Sequence, residues 1–183
     1  VCLEAHKKNL EVVLDIHSEV PRTVIGDPVR LRQIIVNLFN NAIKFTKEGE
    51  ITTRIEQLER RDGRVLLKIT VKDTGIGIPK EKLGKLFKAF SQVDGSTTRK
   101  FGGTGLGLSI SQNLSRMMNG KIGVESEFGE GSAFWFTAEL GLKDGEGMSC
   151  PPVGEELQGV KVLVVDNHPT VREVLSRYLH EWG

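Results

Sequence analysis

The spacing of apolar residues changes period several times along this chain, and the changes predict its elements. Residues 10–16 (Leu-Glu-Val-Val-Leu-Asp-Ile) are aliphatic and β-branched and stop short of Pro21, which predicts a strand. Asp27 before Pro28 predicts an N-cap with proline at the first helical position. Leu31, Ile34, Ile35, Leu38, Ala42 and Phe45 then recur on one helix face, and Gly49 follows the end of that pattern. Residues 50–58 and 64–72 return to strand texture around Asp62-Gly63, a hairpin signature. A short helix is predicted near 80–87. Residues 105–118 read as another helix, with Leu106, Ile110, Leu114 and Met117 on one face. Residues 120–126 and 132–140 form a closing hairpin around Gly129-Glu130-Gly131.

Strands joined mostly by hairpins, with helices between them, imply an α+β fold. The expected architecture is a two-layer α/β sandwich: a mixed, mostly antiparallel sheet with helices on one face. Residues 141–158 are rich in Gly, Pro and charge and read as a linker. The texture then changes. Val160 to Val165 is a continuous apolar run of the kind buried in a parallel sheet, and it ends at Asp166. A helical pattern follows through Val171, Val174, Leu175, Tyr178 and Leu179. This is the expected first βα unit of a doubly wound domain. About 25 residues cannot bury a core, so the segment should be disordered or packed on its neighbour. The expected division is 1–142, a linker at 143–158, and a truncated second domain at 159–183. The chain begins without Met and is expected to be a piece of a longer protein.

Composition narrows the function. A formal net charge of +1 gives no bulk field to recruit nucleic acid or an anionic membrane. No run approaches the ~20 apolar residues of a transmembrane helix. Cys2 and Cys150 are far apart, which argues against a disulfide framework or a zinc site and fits a reducing, cytoplasmic setting. Glycine is the outlier: fifteen of the 21 fall between Gly75 and Gly147, a clustering that points to specialised loops rather than dispersed turns.

Two of those loops matter most. One is Asp73-Thr74-Gly75-Ile76-Gly77-Ile78-Pro79, the other Gly102-Gly103-Thr104-Gly105-Leu106-Gly107-Leu108. Either alone is weak, since glycine also marks ordinary turns. Glycine lets backbone approach phosphate oxygens, and successive N–H groups in such turns make anion-binding concavities. Together with the asparagine-bearing helix 37–45, they describe a nucleotide pocket, and the nucleotide is expected to be ATP.

In these residues the chain resembles the catalytic ATP-binding domain of sensor histidine kinases. That domain belongs to the gyrase, heat-shock-90, kinase and mismatch-repair ATPase superfamily and has the Bergerat ATP-binding fold. Residues 9–140 carry the resemblance through boxes in the family's order. They are the asparagine box (37–45), Asp-x-Gly-x-Gly (73–77), Leu86-Phe87-Lys88-Ala89-Phe90, Gly-x-Gly-x-Gly (103–107) and Gly129 to Phe134. Residues 160–183 are similar to the start of a response-regulator receiver domain, so a hybrid kinase is implied.

The resemblance implies roles. Asn41 would ligate Mg²⁺, which prefers oxygen donors. Asn37 would line the same face, Lys44 would reach phosphate, and Phe45 would pack on adenine. Asp73 would accept a hydrogen bond from the adenine amine, with Gly75, Gly77 and Ile78 close to base and ribose. Gly103, Thr104, Gly105, Leu106 and Gly107 would hold phosphates at a helix N-terminus and hinge a mobile lid over 91–104. Arg99 and Lys100 would neutralise the γ-phosphate there. Asn37, Lys44, Arg99 and Lys100 form the candidate catalytic set. Phe87 and Phe90 read as packing anchors.

Ordinary readings stand beside these. The asparagines could be solvated helix surface, Asp73 an Asx-turn residue, Arg99 and Lys100 solvated loop charges. Gly75 and Gly77 could be a plain tight turn, and Ser132 either touches the pocket or packs a strand end.

Neither His6, His17, His168 nor His180 has the context of the family's phosphoacceptor, which normally lies upstream on a dimerisation domain. Expected partners are therefore that domain and a receiver or response regulator, with no nucleic acid. The intact protein is expected to be a homodimer, with a membrane anchor left open. Asp166 matches the receiver's first acidic residue, whereas Asn167 departs from the second. Two alternatives stay open: an ATP-hydrolysing conformational clamp and a non-catalytic nucleotide-binding scaffold. The clamp ATPases place glutamate where this chain has Asn37.

Overall fold

The computed structural model describes residues 2–88, 105–143 and 159–182. Strand β1 (Glu11–Ile16) runs parallel to β2 (Glu50–Arg61), the one parallel pair among the described residues. Strand β2 turns at Asp62-Gly63, both at positive φ, into antiparallel β3 (Arg64–Asp73). Strand β4 (Ile122–Glu127) pairs antiparallel with β5 (Gly131–Gly141), which inserts beside β3. The sheet order is β1-β2-β3-β5-β4.

Strand alternation decides which face is covered. Val65, Leu67, Ile69 and Val71 of β3 are buried, and the register sets them opposite Leu140, Ala138, Phe136 and Phe134 of β5. This apolar face meets the helices. Helix α1 (Cys2–Lys7), too short to show a pattern in the sequence, contributes the fully buried Ala5. Helix α2 (Pro28–Phe45) begins as expected: the Asp27 carboxylate accepts from the N–H groups of Val29 and Arg30 at 3.0 and 3.1 Å. It lays Ile34, Leu38 and Ala42 on the sheet. The predicted helix near 80–87 is shorter, α3 (Lys80–Leu83), followed by turns that pack Leu86 and Phe87 on the core.

Helix α4 (Gly107–Met117) corrects the expected apolar face. Ile110 and Met117 are exposed, and the fully enclosed side chains are Ser111 and Ser115. Small hydroxyls let the helix sit close to its neighbours while being hydrogen-bonded: Ser111 Oγ accepts from Asn37, and Ser115 Oγ donates to the Thr137 carbonyl at 3.0 Å. Leu108 and Leu114 complete the contact with the core.

The C-terminal segment also differs from expectation. Helix α5 (Pro169–Trp182) forms and packs against β1, one of the two anticipated outcomes. The apolar run before it is not a strand, and Val160, Val162, Leu163 and Val165 are exposed. Among the described residues no strand pairs with it, so a parallel-sheet sequence has no sheet to enter.

Candidate nucleotide-binding site

Strand β3 ends by pointing Asp73 inward, on the helix-covered face, where it is 4% exposed. The Gly75 N–H donates to its Oδ1 at 2.8 Å, and the Ser132 backbone N–H also donates to the carboxylate. The Thr46 hydroxyl lies within reach of both this carboxyl and the Ala42 carbonyl (2.7 Å), and its single proton serves one or the other. Burial pushes the Asp73 pKa above its ordinary value, and these hydrogen bonds offset only part of that rise. The Asx-turn reading is thus realised. It leaves room for a ligand contact, because a carboxylate offers about four lone-pair sites.

The glycines after Asp73 earn their place against the protein's own backbone. A Cβ on Gly75 would come within 2.5 Å of the Phe45 carbonyl oxygen, and one on Gly77, at φ 65°, would collide with the Glu127 carbonyl. The close approach expected toward base and ribose is therefore seen toward the end of α2 and the β4–β5 turn. Ile76 N–H reaches the Phe45 carbonyl at 3.3 Å, and its own carbonyl accepts from Gly129 at 2.9 Å. Ile78 N–H donates to Ser126 Oγ at 2.8 Å, and that hydroxyl also contacts the Gly131 carbonyl (2.8 Å) and Ser132 Oγ (3.0 Å). The loop after Asp73 is clamped from both flanks.

The second wall is α2 itself. Asn37, Lys44 and the half-buried Asn41 form a polar stripe beside the apolar one. Asn37 Nδ2 donates to Ser111 Oγ at 2.9 Å, and Gly107 packs so closely on the Asn37 amide that a Cβ there would strike it. Gly105, at φ 68°, precedes the first turn of α4. An open groove of about 260 Å³ runs between the helices, lined by Gln33, Asn37, Asn40, Gly107 and Ser111 among others. Phe45 joins the two ends of the site: its carbonyl holds the Asp73 loop, the residue is 38% exposed, and Lys44 Nζ stands 4.9 Å from the ring centroid.

The structure therefore brings Asp73, Gly75, Gly77, Ile78 and Ser132 together at one end, and Asn37, Gly105, Leu106 and Gly107 at the other. Asn41, Lys44 and Phe45 lie on α2 between them. Arg99, Lys100, Gly103 and Thr104, with the expected lid and Phe90, lie outside the described residues. Three partners escaped the sequence reading: Thr46, Ser111 and Ser126. Thr46 had a signal, being the polar residue that ends the α2 pattern. Ser111 and Ser126 had none, because each meets its partner 74 or 48 positions away.

Comparison with known proteins shows the family. A family model described as "Histidine kinase-, DNA gyrase B-, and HSP90-like ATPase" matches residues 26–142. The sensor histidine kinase GacS of Pseudomonas protegens is 45% identical over 181 residues, 98% of this chain and 19% of that protein. The signal transduction histidine-protein kinase BarA of Escherichia coli K12 is 49% identical over 138 residues, 75% of this chain and 15% of BarA. The chain spans about a fifth or less of the length of these curated relatives. The crystal structure of full-length ShkA in complex with AMPPNP superposes with a TM-score of 0.78 at 32% identity, covering 99% of this chain and 35% of ShkA. The mycobacterial sensor histidine kinase MprB shares the fold, with a TM-score of 0.59 at 21% identity over 78% of this chain and 89% of MprB. With the family match running from the start of α2 through β5, and so over four of the five strands, the chain belongs to the histidine kinase-, DNA gyrase B- and HSP90-like ATPase family.

Proposed function

We propose that this chain is the ATP-binding catalytic domain of a hybrid sensor histidine kinase, with residues 159–183 opening a receiver domain. The observation that carries the reading is Asp73, buried and held by the backbone of Gly75 and Ser132 across from the polar stripe of α2. Its carboxylate accepts a hydrogen bond from the adenine exocyclic amine, where guanine presents an oxygen. The phosphates extend toward the N-terminus of α4, whose free N–H groups and dipole favour anions. Lys44 adds a point charge. Arg99 and Lys100 are the candidate cations for neutralising the γ-phosphate.

The reaction is phosphoryl transfer. A histidine nitrogen on the dimerisation domain attacks the γ-phosphorus, the bond to the β–γ bridging oxygen breaks, and ADP leaves. Among the described residues no cluster of three acidic, histidine or cysteine side chains could hold a metal alone. Asn41 would offer Mg²⁺ a neutral amide oxygen, the donor type that ion prefers, and the ion would screen the charge of the phosphates. Asn37 supports transfer over hydrolysis: its amide cannot act as a general base, and it is engaged with Ser111. The partners are the dimerisation domain and a receiver or response regulator, in a homodimeric protein. Among the described residues no helix is long and apolar enough to cross a membrane.

Calorimetric titration of ADP, with and without Mg²⁺, tests the reading. Adenine-selective binding that weakens in Asn41→Ala chiefly when Mg²⁺ is present is the expected result. No binding at millimolar ADP in a folded sample would overturn it, and an equal effect of Asn41→Ala with and without the metal would remove Asn41 as a ligand.

A further inference from the structure

Two buried apolar side chains, Val13 and Val174, stand apart from the main core. The register explains why. Val12 lies opposite Ile51, which faces the helices, so Val13 and Asp15 point to the other face of the sheet, opposite Thr52 and Arg54. Asp15 is completely buried there. A carboxylate is costly to bury unless it is paired and hydrogen-bonded. Arg54 Nε donates to it at 2.8 Å from within the sheet, and Arg177 of α5 sets its guanidinium fork on both carboxylate oxygens. Bidentate pairing is specific as well as strong.

Contacts continue along the whole of β1. The Ile16 N–H, on the open side of this edge strand, donates to the Tyr178 hydroxyl at 2.7 Å. Arg177 lies 3.4 Å from His17 Nε2. At the other end, the Thr170 hydroxyl donates to Glu50 Oε1 at 2.7 Å, and His168 Nε2 stands 3.5 Å from Glu11 Oε2. The strand side therefore presents Glu11, Asp15 and Glu50, and the helix side presents His168, Thr170 and Arg177. The docked face of α5 carries Val174, Arg177 and Tyr178 at helical spacing. Its Leu175 and Trp182 remain exposed, as do Val162, Leu163 and Val165 before it. Docking thus uses Val174 and Tyr178 and leaves the rest of the segment's apolar surface exposed.

We propose that the back of the sheet at β1, with the adjoining start of β2, is a docking surface for the chain's own C-terminal helix, and that the Asp15–Arg177 pair selects it. The unit that follows the ATP-binding sheet is then held against the face remote from the helices that line the nucleotide site. The docked helix also shields the exposed edge of β1 from pairing with another chain.

Amide hydrogen exchange on the 183-residue chain tests this without reference to nucleotide binding. In Arg177→Glu, which faces Asp15 with a like charge, the Ile16 amide should exchange about tenfold faster or more, while β3 and β5 keep their protection. Unchanged Ile16 exchange in that variant overturns the proposal. Should Arg177→Glu lose protection throughout the sheet, Tyr178→Phe decides, because it removes only the acceptor of the Ile16 amide. Faster exchange confined to Ile16 and its neighbours sustains docking, and wild-type exchange there overturns it.

Discussion

Asn37 and Ser111 stand 74 positions apart and share a hydrogen bond of 2.9 Å between α2 and α4. Gly107 seats the first turn of α4 on the same amide, so the N-terminal end of one helix is fixed over the polar stripe of the other. In the proposed function this contact would set the phosphate side of the site, and Asp73 the adenine side.

Gly107→Ala tests that seating. Alanine gains up to ~1 kcal/mol of helix propensity over glycine, but its Cβ displaces the Asn37 amide and costs the Ser111 hydrogen bond, worth about 1 kcal/mol. The two effects nearly cancel in stability. Tm should stay within about 5 °C of wild type, while ADP affinity measured by calorimetry falls severalfold. Wild-type affinity would show that the helix seating does not govern the phosphate side.

Asp73→Asn separates the two duties of that carboxylate. The amide oxygen can still accept from the Gly75 N–H, so the loop should hold and the melting curve should change little. What disappears is the charged acceptor for adenine, a loss of ~1.5–3 kcal/mol, or roughly 10- to 100-fold in ADP affinity. A variant that binds ADP as the wild type does would reject the base contact.

Acidification should act on the two buried aspartates in opposite senses. Asp73 has its pKa raised above the ordinary 3.8, chiefly by burial. Its folded form takes up a proton before the unfolded form does, so its ionisation costs stability, and that cost is relieved as pH falls through the raised value toward 3.8. ADP affinity, which the proposed base contact ties to the carboxylate, should fall over the same window, and Asp73→Asn should flatten that part of the profile. For Asp15, burial pushes the pKa up, but hydrogen bonds from Arg177 and Arg54 outweigh it and leave it below 3.8. Its contribution is present above 3.8 and is lost as pH falls through the lowered value. Calorimetry and Ile16 exchange across the acid range would read the two separately. An ADP affinity flat across the window above 3.8 would contradict the assignment of Asp73.

Ser126→Ala removes the acceptor of the Ile78 N–H in a partly buried loop. An unsatisfied donor there costs ~1–3 kcal/mol, so Tm should fall by roughly 2–10 °C and ADP affinity with it. Ser132→Ala should cost less, since the Ser132 hydroxyl meets Ser126 while the backbone N–H that serves Asp73 is unaffected. Equal effects of the two substitutions would show that the hydroxyl pair, rather than the loop anchor, carries the stability.

Much of this protein is a consequence of local sequence. Asp27-Pro28 caps and starts α2, Asp62-Gly63 turns β2 into β3, and the alternation from Val65 to Val71 marks the buried face. Each acts over a few residues, through backbone geometry and side-chain period, so a linear reading reaches it. The Asp73 and Gly107 loops were legible for the same reason. What they pack against was not, because the neighbours of Gly75, Gly77 and Gly107 are Phe45, Glu127 and Asn37, brought in by other elements.

Only the tertiary structure decided which face of α4 is enclosed. Ile110 and Met117 fit an apolar stripe, yet the seam between α2 and β5 is too close for them and takes Ser111 and Ser115. It also decided the fate of the C-terminal segment. An apolar run specifies a strand only where a neighbouring strand completes its hydrogen bonds, and Val160 to Val165 have none among the described residues. The helix after it found another partner in Asp15, a carboxylate whose burial no local pattern announces, because its stability depends on two arginines placed there by the fold.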